Sequence, residues 1–176
     1  MRAMTMWVAA VALAWSATAS AVEVGGIRLD EKANVGGQEL VLNGAGVRTR
    51  VFIKVYVASL WLPAKAGALS GVLAKGPRRV QMNLLRDLSA DQLVNALVDG
   101  LKDNNSEAEL ASVKAQVDQM VATMKAFNEV KEKDVVALDF VDGATKIMLN
   151  GQAKASIPGD AFNAALMKVW LGDKPV

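Results

Sequence analysis

Between Val47 and Leu62 the chain reads VRTRVFIKVYVASLWL, a run dense in β-branched and aromatic residues. Its alternation predicts one long strand over residues 47–62. Val47, Thr49, Val51, Ile53, Val55 and Val57 would form the core face. Arg48, Arg50, Phe52, Lys54 and Tyr56 would form the other, because residues two apart share a face. Pro63 ends the run, since it cannot donate to a ladder. Residues 39–43 read as a shorter strand. The intervening Gly44-Ala45-Gly46 predicts a turn or bulge. A phosphate loop would need a helix N-terminus directly after it, and a strand pattern follows instead. Val24-Gly25-Gly26-Ile27 and Val35-Gly36-Gly37-Gln38 are turn signals around another short strand.

The period then changes. Residues 68–75 predict a short helix broken by Gly76-Pro77, and 79–85 a strand. Ser89 with Gln92, and Ser106 with Glu109, have the spacing of capping boxes and open two helices joined by Asp103-Asn104-Asn105. Leu93, Leu97 and Leu101 stripe the first. Leu110, Val113, Val117, Met120, Met124 and Phe127 stripe the second. Residues 135–141, 145–149 and 153–157 form a meander turned at Asp142-Gly143 and Asn150-Gly151, pairs that accept positive φ. Pro158 suits the first turn of a last helix, which carries Phe162, Leu166, Val169 and Trp170 on one side and stops at Gly172. Strands, two helices, strands and a helix predict an α+β fold: a large, mainly antiparallel sheet with helices packed on one face.

The first 21 residues follow neither pattern. A single cation, Arg2, precedes an apolar run over 6–15 and the small-residue end Ala19-Ser20-Ala21. This predicts a cleavable secretory signal cut after Ala21, a periplasmic or secreted location, and one domain over 22–176. The apolar run is too short to span a bilayer, so no stable membrane insertion is expected after cleavage. The formal charge is +2, and Arg2 alone accounts for one of those charges. Such a balance argues against nucleic acid as a partner. The chain has no Cys and no His. Thiol and Ser-His nucleophiles, zinc sites and His-ligated haem are thereby excluded, and no catalytic residue, metal or cofactor is expected.

Few residues remain for chemistry. Asp139 and Asp142 bracket a hairpin and read as solvent and turn chemistry. Glu129, Glu132 and Asp134 alternate with Lys131 and Lys133, as in a solvated connection. Arg48, Arg50, Lys54 and Tyr56 are different, because they share a strand face with Phe52. Two readings stay open on strand physics alone. The face is open to water with cations as aggregation guards, or it is half-covered and an arginine there meets an anion. Tyr56 is the only tyrosine, and its ring can pack while its hydroxyl bonds a ligand oxygen.

The segment LNGAGVRTRVFIKVYVASLWLP resembles the first strands of the chalcone isomerase fold, with its Gly-x-Gly-x-Arg element and Phe-Ile-Lys strand. RVQMNLLRDLSADQLVNALVDGL resembles that family's strand-to-helix segment. IPGDAFNAALMKVWLGDKP is similar to the end of its secreted bacterial members. The resemblance implies an open-faced β-sandwich with a cleft between a large antiparallel sheet and its helices. Arg48 then matches the arginine that polarises a carbonyl in the enzymes and holds the carboxylate in fatty-acid-binding members. Tyr56 stands where the enzymes have a threonine. Leu93, Ala96 and Gly100 fall where they carry tyrosine, lysine and asparagine. The expected ligand site is Arg48, Tyr56 and Arg50, with Ala58, Leu88, Leu93 and Leu97 as apolar lining. Arg50 either reinforces Arg48 or turns to solvent, and Lys54 sits at the rim. The implied function is non-catalytic binding of a small amphipathic anion, such as a fatty acid. The alternatives are an isomerase or lyase acting on an α,β-unsaturated ketone, or a module that binds a protein partner.

Overall fold

The computed structural model describes residues 21–74 and 76–176. The predicted leader lies outside the described residues, except for Ala21 at its end. The chain runs β1 (Ala21–Val24), β2 (Ile27–Asp30), β3 (Lys32–Val35), β4 (Gln38–Arg50), β5 (Ile53–Leu62), α1 (Leu69–Val72) and β6 (Arg78–Leu84). It continues through β7 (Leu88–Ser89), α2 (Ala90–Asn104), α3 (Glu107–Ser112), α4 (Lys114–Lys125) and β8 (Glu129–Val130). The last elements are β9 (Val135–Val141), β10 (Ala144–Leu149), β11 (Gln152–Pro158) and α5 (Asp160–Leu171). Seven strands form one antiparallel sheet in the order β11-β10-β9-β6-β5-β4-β3. The α+β arrangement predicted from the pattern is therefore present.

Both faces of this sheet carry apolar side chains. On one, Leu60, Val80, Met82, Leu138 and Phe140 pack against Leu97 and Leu101 of α2, Met120 and Met124 of α4, and Phe162 and Leu166 of α5. On the other, Leu40, Leu42, Val57, Trp61 and Val141 form a smaller cluster under Leu29 of β2. The β1–β2 hairpin comes so close here that a Cβ at Gly25 would lie 2.7 Å from Val47 Cγ2, and Gly25 also has φ +60°. Only glycine meets both demands. Asp139 was expected in solvent. It is instead largely buried on this second face, where Arg79 clasps it with two nitrogens, one at 2.7 Å.

The run 47–62 is not one strand. Val51 and Phe52 form a two-residue turn with φ of 47° and 65°, and β4 doubles back as β5 with Arg50 opposite Ile53. Such a turn normally takes Asn-Gly, so Val-Phe gave no turn signal. Gly44-Ala45-Gly46, expected as a turn or bulge, is regular strand paired with Leu60, Ser59 and Ala58, and the bulge falls one residue earlier, at Asn43. Asn43 there exchanges two hydrogen bonds with the backbone of Ala66, at 3.1 and 2.7 Å.

Two further boundaries differ from expectation. The second long helix breaks at Val113, whose φ of −116° and ψ of 15° separate α3 from α4. Pro158 ends β11 and does not open α5, because Gly159 with φ 140° makes the corner between them. Both capping boxes form as predicted.

In the second box Glu109 also meets Lys168 of α5 at 2.6 Å. That ammonium, and then the N–H and hydroxyl of Ser106, hold the Glu109 carboxyl down at about 2 against an ordinary 4.5. A carboxylate with a lowered folded pKa stabilises above its unfolded value and loses that contribution as pH falls through the folded one. Glu109→Gln keeps the cap but removes the charge. The parent should melt slightly higher than this variant above about pH 4.5, and the two curves should converge towards pH 2. A gap independent of pH would remove this linkage.

Candidate functional site

The hairpin sets the site. Cross-strand partners on antiparallel strands share a face, and Arg48 is the partner of Tyr56. A second bulge, after Arg48, leaves Val55 as the extra residue, so Val55 and Tyr56 both turn towards the helices. The Arg48 guanidinium lies 5.7 Å from the centre of the Tyr56 ring, and its Nη1 donates to the Tyr56 hydroxyl at 3.4 Å. Trp170 Nε1, from α5, donates to the same oxygen at 3.2 Å. Tyr56 is 5% exposed. With both lone pairs of its oxygen engaged, its own O–H is left to donate to a further acceptor.

Arg48 stands where three spaces meet. An inner cavity of about 40 Å³ lies between the sheet and α2, α4 and α5, walled by Leu93, Leu97, Met120, Met124 and Phe127, with Arg48 and Tyr56 on its border. An outer groove of about 520 Å³ runs along the hairpin and α2. A third, of about 290 Å³, crosses the backbone of Gly44 to Gly46 below Trp170 and Val176.

The predicted site residues divide among these spaces. Arg48, Tyr56, Leu93 and Leu97 border the inner cavity. Arg50 and Leu88 line the outer groove with Arg86, and Ala58 lines the third space. Lys54 lines none of them. Its register partner is Thr49, on the face opposite Arg48. Val51 and Ile53, expected on the core face, are 79% and 50% exposed, because the turn interrupts the alternation. Ala96 borders both the inner cavity and the outer groove. Gly100 instead lets α5 approach α2: a Cβ there would lie 2.8 Å from Val169 Cγ1.

Trp170 was not foreseen as a site residue. Its bond to Tyr56 spans 114 positions, and no local pattern carries it. Met82 was likewise read only as strand, although it lines the inner cavity.

The chemistry follows from the lining. Among the described residues, Arg48 is the only charged side chain on the inner cavity, and the rest of its wall is apolar apart from the Tyr56 hydroxyl and the Trp170 indole. A guanidinium beside a hydroxyl can hold an anionic or carbonyl oxygen. Among the residues lining the three spaces, Asp99 on the outer groove is the one with a carboxylate side chain.

A search of curated protein sequences finds no match. Among solved structures, the fold is similar to the crystal structure of a fatty-acid binding protein from Arabidopsis thaliana. The TM-score is 0.68, at 10% sequence identity, over 89% of this chain and 91% of that one. At this identity the likeness shows the fold alone. The sequence profile described as chalcone isomerase-like matches residues 21–176, the whole of the described chain. A match of that extent places the chain in the chalcone isomerase-like family.

Proposed function

We propose that the protein binds a fatty-acid-like amphipathic anion without transforming it, and that it does so after export, in the periplasm or outside the cell. The observation that carries this reading is one arginine, partnered by a tyrosine hydroxyl, at the border of an otherwise uncharged cavity. The carboxylate would sit on Arg48 and Tyr56, and the hydrocarbon would run among Leu93, Leu97 and the methionines. The structural neighbour is itself described as a fatty-acid binding protein, which supports the ligand class.

The cavity of about 40 Å³ is far below the roughly 300–1,000 Å³ of pockets that enclose a small-molecule ligand. A hydrocarbon chain therefore enters only if the wall moves. Met82, Met120 and Met124 suit such a wall, because unbranched thioether chains repack readily. Titrating a fluorescent long-chain fatty acid into the purified protein tests the proposal. Saturable binding, displaced by unlabelled fatty acid, is the expected result. An absence of binding ends this reading and moves a protein partner to first place.

Chalcone isomerisation should stay at background. The positions matching the family's polar partners hold Leu93, Ala96 and Gly100, and general acid–base help is typically worth about 10²–10⁴-fold. Saturable conversion of a chalcone that is lost in Arg48→Ala would establish the enzymatic alternative instead.

A further inference from the structure

The most exposed apolar group of the described chain lies beside the site. Phe52 is 97% exposed and Val51 79%, at the tip of the β4–β5 hairpin. Both have positive φ, at 65° and 47°. For a bulky or β-branched residue this conformation is strained, and Asn-Gly would adopt it at less cost. The fold thus holds two large apolar side chains outward at a position that favours small polar ones. Strain of this kind gathers where a surface has a task.

The surroundings of the tip say what it fits. Residues 47–57 contain Arg48, Arg50 and Lys54 and no acid. Arg50 and Lys54 are exposed on either side of the tip, and Arg86 lines the adjoining groove. An apolar point flanked by two cations matches an anionic bilayer. The side chains of Val51 and Phe52 can enter the headgroup boundary while Arg50 and Lys54 meet the phosphates. No helix among the described residues is long and apolar enough to cross a membrane, so the contact would be at the surface. Val51, Ile53 and Arg50 also line the outer groove that leads to Arg48 and Tyr56. The tip would therefore hold the mouth of the groove against the lipid.

We propose that the Val51-Phe52 hairpin tip docks the protein on anionic phospholipid bilayers. Flotation of the purified protein with vesicles tests this, using phosphatidylglycerol mixed with phosphatidylcholine against phosphatidylcholine alone. The protein should float with the anionic vesicles, and less as salt rises, since exposed charges are screened within about 10 Å at 0.1 M. The double change Val51→Asn with Phe52→Gly suits the turn, so it should melt no lower than the parent. Its partition should fall by at least about ten-fold, as expected for removing a large apolar side chain from the interface. Arg50→Glu with Lys54→Glu should abolish the preference for anionic vesicles. The proposal is overturned if the parent stays unbound, or if the Asn-Gly variant floats as well as the parent. It is also overturned if sedimentation shows a dimer that Phe52→Ser dissociates, because the tip would then join two copies of the chain. Vesicle binding needs no fatty acid, so this result and the ligand titration succeed or fail separately.

Discussion

Replacing Arg48 with alanine is expected to weaken fatty-acid binding by roughly 10- to 150-fold. The range follows from hydrogen bonds to charged groups, at about 1.5–3 kcal/mol, and about 1.4 kcal/mol per decade of affinity. Folding should be almost unaffected. Arg48 is only half-buried, and its one side-chain bond, to Tyr56, is long at 3.4 Å. Arg48→Lys should recover part of the loss, because an ammonium supplies the charge but not the two-pronged contact with a carboxylate. Tyr56→Phe should cost less affinity than Arg48→Ala. It removes one donor to the ligand and keeps the ring under the guanidinium, though it also strips Trp170 of its acceptor. Arg50→Ala should cost least, since Arg50 lines only the outer groove. Titration of the four variants with one fluorescent acid checks the order. Parental affinity in Arg48→Ala would separate the cavity from any anion.

The largest effect on stability is expected at Leu97, which is 6% exposed in the wall between α2 and the sheet. Leu97→Asp buries a carboxyl with no cation on its own side of the cavity. The cost is several kcal/mol if the group stays charged. A change of one kcal/mol shifts the melting temperature of a chain this size by about 2–4 °C, so a fall on the order of 10 °C is expected. Burial also raises the folded pKa of such a carboxyl above its unfolded value. The neutral form is tolerated better, so the deficit should be smaller near pH 4 and grow as pH rises. Leu97→Met keeps the volume and should cost less than about 1.5 kcal/mol. Thermal melts at pH 4 and pH 8 separate these cases. An unchanged melting temperature in Leu97→Asp would put this face of α2 in solvent.

The sequence revealed most where local chemistry is strong, and least where two distant segments meet. Both capping boxes and the Asp-Gly and Asn-Gly turns stood out because each depends on a few adjacent residues with one preferred geometry. The Val51-Phe52 turn did not, since its residues oppose the conformation they adopt. That miss had an instructive result for the site. Arg48 and Tyr56 were placed on one face by alternation along an unbroken strand. They do share a face, but across a hairpin, with a bulge making up the register. The same error put Lys54 at the rim of the cleft, whereas it pairs with Thr49 on the far face. Asp139 looked like turn chemistry because Arg79, its partner on the neighbouring strand, lies 60 residues away. Trp170 is the extreme case, reaching Tyr56 from the last helix.

The indole bond at Tyr56 also gives the molecule an optical readout of its own. Two of its four tryptophans, Trp7 and Trp15, fall in the predicted leader, and Trp61 and Trp170 remain. Trp61 is 3% exposed on the opposite face of the sheet, with its N–H on the Asp30 carbonyl. Trp170 borders the inner cavity and the third space, and is tethered to the tyrosine proposed to meet the ligand. Without the predicted leader, emission would thus be the sum of a steady internal standard and a sensor. Any occupant that draws the Tyr56 hydroxyl towards itself alters the polarity felt by only one of the two fluorophores. An unlabelled fatty acid should therefore be countable by the protein's own fluorescence, and Trp170→Phe should silence the signal.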